Sequence, residues 1–165
     1  MHITIEKAIN DHLKGEAQKN ALDFIAYLKA NDVAFHESDN NFWHPTYKGK
    51  DLFTLNVEIN DNGGASFDAL INVLPSVWED ESFHMDERSK EIIWKNVRPC
   101  EITGCGDCSP GISKNIFGKT FNNLCGCFLG IYAPDFETYN CLKKIFDGIK
   151  NDIDVDKQGY CYVTV

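Results

Sequence analysis

The chain is predicted to fold as an α+β domain, an antiparallel sheet with helices packed on one face. Two stretches of strict alternation around a glycine turn, and a run of strands bounded by helical stretches, point to that class. The alternating β-α units and glycine fingerprint of a dinucleotide fold are absent. At 165 residues the chain suits a single domain spanning 1–165, large enough to bury a core.

The elements follow in order. Ile5 to Lys14 is a weak helix. From about Gly15 to Ala30, Ala17, Ala21, Leu22, Ile25 and Leu28 recur at helical spacing, with Glu16, Lys19, Asp23 and Lys29 on the other face. Asn31-Asp32 ends that helix, Val33 to His36 is a short strand, and Ser38 to Asn41 is a turn. Phe42 to Tyr47 supplies another strand. Phe53, Leu55, Val57 and Ile59 then alternate with polar residues, and after Asp61-Asn62-Gly63-Gly64 the alternation resumes at Phe67, Ala69, Ile71 and Val73. Asn and Gly tolerate positive φ, so this reads as a β-hairpin.

Residues 76 to 97 have a helix-compatible composition. The region from Arg98 to Asn123, rich in Gly, Pro, Ser and Asn, reads as loop. Phe128 to Tyr132 is a buried strand. Asp135 caps a helix whose apolar stripe is Leu142, Ile145, Phe146 and Ile149, and Tyr160 to Val165 reads as a last strand.

Composition narrows the function. Apolar residues make up 43% and aromatic residues 12%, so a packed core is expected rather than disorder. The net charge of −9, from 25 acidic and 16 basic residues, speaks against nucleic acid or an anionic membrane as partner. A small molecule or another protein is the expected partner. Met1 to Glu6 lacks the pattern of a signal peptide, and no apolar run approaches a membrane span. The expected compartment is the cytoplasm, whose reducing poise disfavours structural disulfides.

Chemistry concentrates in the cysteines. Five of seven, Cys100, Cys105, Cys108, Cys125 and Cys127, fall within 28 residues. Structural zinc is the leading reading. The ion takes four thiolates in a closed tetrahedron, and the C-x2-C spacing of Cys105 and Cys108 puts two on one side of it. Cys125 is the natural third ligand and Cys100 the fourth, with Cys127 in reserve. A loop poor in apolar anchors would then gain its fold from the metal.

Two other readings stay open. One is thiol-redox or iron–sulfur chemistry, an enzyme using the same cysteines. Its C-x4-C-x2-C run shares only three positions with plant-type ferredoxins, and Asp107 between the thiols disfavours a thiolate. The other is small buried filler, the reading given to Cys141 and Cys161 outside the cluster.

Elsewhere, Trp43 and Tyr47 in the Trp43-His44-Pro45-Thr46-Tyr47 stretch are candidate walls of a pocket for a small apolar or cationic ligand. The blander alternative packs both rings under the first helix. Gly118-Lys119-Thr120 is not a phosphate loop, because Ser113 stands where the first glycine is required. Glu79, Asp80, Glu81, Asp86 and Glu87 read as a solvated helix face rather than catalytic carboxylates.

From Cys100 to Cys125 the chain resembles a group of uncharacterised bacterial cysteine-rich proteins, many from anaerobic Gram-positive organisms. The shared features are Cys100, Cys105, Cys108, Pro110, Gly111, Ile116 to Lys119, Phe121, Asn123 and Cys125. Tyr47-Lys48-Gly49-Lys50 is similar to small sheet-and-helix domains related to effector-binding regulators. The resemblance implies an α+β fold and a bound metal, and carries no established activity.

Overall fold

A computed structural model describes residues 3–38, 41–59, 64–71, 76–79, 85–100 and 112–155, with the backbone alone for Val77, Ile112 and residues 125–128. The predicted turns at 38–41 and 61–64 lie partly outside these residues, and the predicted strand at 160–165 lies wholly outside them.

The architecture is α+β, as the periodicity predicts. Two helices, α1 (Ile5–His12) and α2 (Gly15–Ala30), lead into strands β1 (Ala34–Ser38), β2 (Phe42–Tyr47), β3 (Lys50–Asp51), β4 (Thr54–Ile59) and β5 (Ala65–Ile71). A 3-10 turn at Ser76–Trp78 precedes α3 (Glu87–Asn96), β6 (Val97–Pro99), β7 (Ile112–Ile116), β8 (Lys119–Tyr132) and α4 (Phe136–Asp154). Every described pairing is antiparallel, in the order β1-β2-β4-β5-β8-β6, with β3 on β2 and β7 on β8.

Local chemistry accounts for the helix ends. Thr4, Asp86 and Asp135 each accept a backbone N–H from three residues on, capping α1, α3 and α4. Asn31 and Asp32 close α2: their N–H groups bond back to Leu28 and Lys29, and Asp32 takes the left-handed conformation at φ 62°.

The sheet has two unlike faces. Cross-strand partners share a face, and the row Trp43, Leu55, Ala69 and Ile131 is buried against the helices. Phe24 of α2 sits at the centre, its ring 5.7 Å from Tyr139 of α4 and 6.3 Å from Phe53. The helical stripe is rotated from the predicted one. Phe24 is buried and Ala17 is exposed, because α4 packs beside α2 and draws the larger side chain inward.

Two predicted elements need correction. The 76–97 stretch is a 3-10 turn and a shorter helix, separated by residues of which 80–84 are not described. The Arg98–Asn123 region is not all loop. β6, β7 and most of the first half of β8 occupy its ends, since tertiary pairing overrides a Gly- and Asn-rich composition.

Candidate functional site

The cysteine-bearing end is organised by β8. This strand is paired on both edges: β5 and β7 occupy one, β6 the other. Pro99 and Ile112 both lie opposite Leu124, so the segment 101–111 leaves and returns at one point on β8. With neighbouring strands about 4.8 Å apart, its two ends are held roughly 10 Å from each other. Cys125 is the next residue along.

Cys100 is pinned at this point. Its N–H donates to the Asn123 carbonyl at 2.5 Å, and the Asn123 side-chain amide donates back to the Cys100 carbonyl at 2.6 Å. Asn123 is left-handed, at φ 57°, and the β7 ladder shifts register across it, while the β6 ladder shifts between Leu124 and Leu129. That is the signature of a bulge, which bends a strand and re-aims the side chains beyond it.

Of the four predicted ligands, Cys100 lies among the fully described residues and is half-buried. Cys125 is described by its backbone alone, as is the reserve Cys127, and Cys105 and Cys108 lie outside the described residues. Among the described residues, no group of three or more His, Cys, Asp or Glu side chains is arranged to hold a metal. Cys141 is a core residue of α4: fully buried, its thiol 3.6 Å from the Ser89 carbonyl and pushed up to about 12 by burial. Cys161 lies outside the described residues.

Trp43 and Tyr47 sit on the helix-facing side of β2, and both are buried. Their surroundings differ. Tyr47 is engaged: its hydroxyl donates to Asp154 at 2.9 Å, and Asp154 also takes the Lys48 ammonium at 2.8 Å. That hydrogen bond to Asp154, aided by desolvation, raises the phenol above its ordinary pKa. The ring thereby ties the end of α4 to β2, and it does not reach the pocket that Trp43 borders.

That pocket is a cleft of about 580 Å³ between the start of α1, the end of α2 and β1, walled by Ile3, Ile5, Val33, Phe35 and Trp43. Lys29 and Glu6 form an ion pair at its rim, and the Lys29 ammonium lies 5.7 Å from the Phe35 ring centre. Glu37 accepts the Ile3 N–H at 2.8 Å. Trp43 is 1% exposed, yet its indole N–H has no acceptor among the described residues. A buried donor without a partner is costly.

The residues set aside on sequence grounds have structural roles. Phe117 and Gly118, at φ 49° and 80°, form the two-residue turn between β7 and β8, so Lys119 and Thr120 begin a strand rather than a phosphate-binding helix. Glu79 pairs with Lys114, Glu87 with Lys90, and Asp86 with Lys144 while it caps α3.

A second concavity escaped the sequence reading. It lies on the sheet face away from the helices and is lined by Phe42, Asn56, Asp68, Leu70 and Tyr132. Alternation marks these positions as outward-facing. Only the register across four strands shows that they meet.

Comparison with protein-family models, with curated proteins and with solved structures finds no match. No described helix is long and apolar enough to cross a membrane.

Proposed function

We propose that the chain is a zinc-stabilised binding domain of the cytoplasm. In this reading Cys100, Cys105, Cys108 and Cys125 hold the ion, and the cleft bordered by Trp43 accepts a small molecule. The observation that carries the metal half is the placement of Pro99 and Ile112 on either side of Leu124, beside Cys125 and the pinned Cys100. Four thiolates must converge within about 2.3 Å of one ion. Holding Pro99 and Ile112 on the two edges of β8, at a fixed separation, reduces the loop-closure cost of that convergence. The resemblance to bacterial cysteine-rich proteins implies the same kind of site and supplies no activity.

Metal analysis of freshly purified protein tests this. One zinc per chain, with cooperative loss of structure on chelation, is the expected result. Metal-free protein carrying a rapidly titrating pair of thiols would sink the zinc reading and favour the thiol-redox alternative. Cys105→Ser should destabilise strongly and Cys161→Ser little, whereas equal small effects would count against a metal.

A further inference from the structure

We propose that the sheet face turned away from the helices binds a small organic ammonium, an amine with an apolar body, over the carboxylate of Asp68. This site is distinct from the Trp43 cleft and stands whether or not the cysteines hold a metal.

The site is a single row across four strands. Phe42 of β2 lies opposite Asn56 of β4, Asn56 opposite Asp68 of β5, and Asp68 opposite Tyr132 of β8. The row beside it, Trp43 to Ile131, is the one buried under the helices, so this one faces outward. It reads aromatic, amide, carboxylate, aromatic, and it borders a concavity of about 470 Å³, within the range of metabolite sites.

Asp68 is the anomaly. It is 3% exposed, and its Oδ1 accepts one hydrogen bond, from the Ala133 N–H at 3.2 Å. Among the described residues no Lys, Arg or His forms an ion pair with it. A carboxyl group so far removed from water has only a single neutral donor for its oxygens, and a bound cation would repay that desolvation.

Arg98, the nearby cation, is committed elsewhere. Its Nη1 donates to the Tyr132 hydroxyl at 2.6 Å and its guanidinium lies 5.6 Å from that ring's centre. Gly130 makes this crossing fit: a Cβ there would stand 2.8 Å from Arg98 Cδ and 3.0 Å from the Tyr132 ring. Arg98 thus steadies the Tyr132 wall without neutralising Asp68.

The ligand chemistry follows. An ammonium can donate to Asp68 and Asn56 while the ring of Phe42 attracts its charge and Tyr132, held by Arg98, walls the far side. Leu70 and Ile59 offer contact to an apolar body, and Glu58 adds negative charge at the rim. An anion meets two carboxylates and is excluded. A bare divalent cation would lack oxygens, because Asp68 and Asn56 alone do not fill its coordination shell.

The test is an NMR titration of the full chain with 2-phenylethylammonium, with neutral 2-phenylethanol and with 3-phenylpropionate. The expected result is saturable shifts of the Asn56, Gly130 and Ala133 amides, at least tenfold tighter for the ammonium than for the alcohol, and none with the carboxylate. Asp68→Asn, which keeps an acceptor for Ala133, should weaken the ammonium tenfold or more. Phe42→Leu should weaken it at least threefold, and this variant carries the test if Asp68→Asn fails to fold. Equal affinity for ammonium and alcohol, or full affinity in a folded variant, overturns the proposal.

Discussion

Replacing Trp43 with Phe sets two opposed effects against each other at one buried position. The side chain is 1% exposed and packs in the central core, so shrinking the ring leaves a void. By the cavity scaling of core truncations that void costs about 1–2 kcal/mol. The same substitution deletes an indole N–H that has no acceptor among the described residues. Removing such a group recovers about 1–3 kcal/mol of desolvation. The net change should therefore fall within about 1 kcal/mol of zero, although the position is fully buried. Trp43→Ala keeps the benefit and enlarges the void, so it should cost about 3 kcal/mol. Urea unfolding followed by far-ultraviolet circular dichroism reads both, with an unchanged m value as the check on two-state behaviour. A loss above about 3 kcal/mol for Trp43→Phe would refute the reasoning, since it would mean the indole is hydrogen-bonded in the folded protein.

Other consequences are equally direct. Asp152, buried in α4, accepts both the N–H and the hydroxyl of Ser76 at 2.6 Å, so Asp152→Ala should cost about 1–2 kcal/mol by removing both bonds, read as a lowered urea midpoint. The Lys144 ammonium, with Ser89, holds the Asp86 carboxyl well below the usual carboxylate range. A depressed folded-state pKa means that this stabilisation is complete above about pH 4 and is lost as the pH falls further. Asp86→Asn, which keeps the cap, should flatten that acid limb in melts from pH 5 to pH 2, and an unchanged slope would contradict the pairing. Cys141, its thiol pushed up to about 12 by burial, should resist a disulfide reagent at pH 8 in the folded chain and react on unfolding; prompt native reaction would show that α4 opens locally.

Much of the fold can be read from side-chain order alone. The β4–β5 hairpin is legible because Leu55, Val57, Phe67 and Ala69 alternate with residues that tolerate water, and period two has no other common cause. Asp135 signals the start of α4 for an equally local reason, an oxygen three residues ahead of an unpaired N–H. The β6 and β7 strands and the first half of β8 gave no such signal, whereas Phe128 to Tyr132 did. Their pairing joins Pro99 and Ile112 to Leu124 through long-range backbone bonds, which act on residues of any composition.

The candidate sites divide along the same line. Clustering of cysteines is a property of chain order, so the suspicion of a metal needed only the spacing from Cys100 to Cys125. Whether a carboxylate is dry, or an indole lacks an acceptor, depends on what other segments bring to it. Asp68 looks like any acid on an outward face until β8 is laid against β5, with Tyr132 opposite it and Ala133 donating to its carboxylate. Burial and register arise only in the folded chain, because they depend on contacts between residues far apart in sequence.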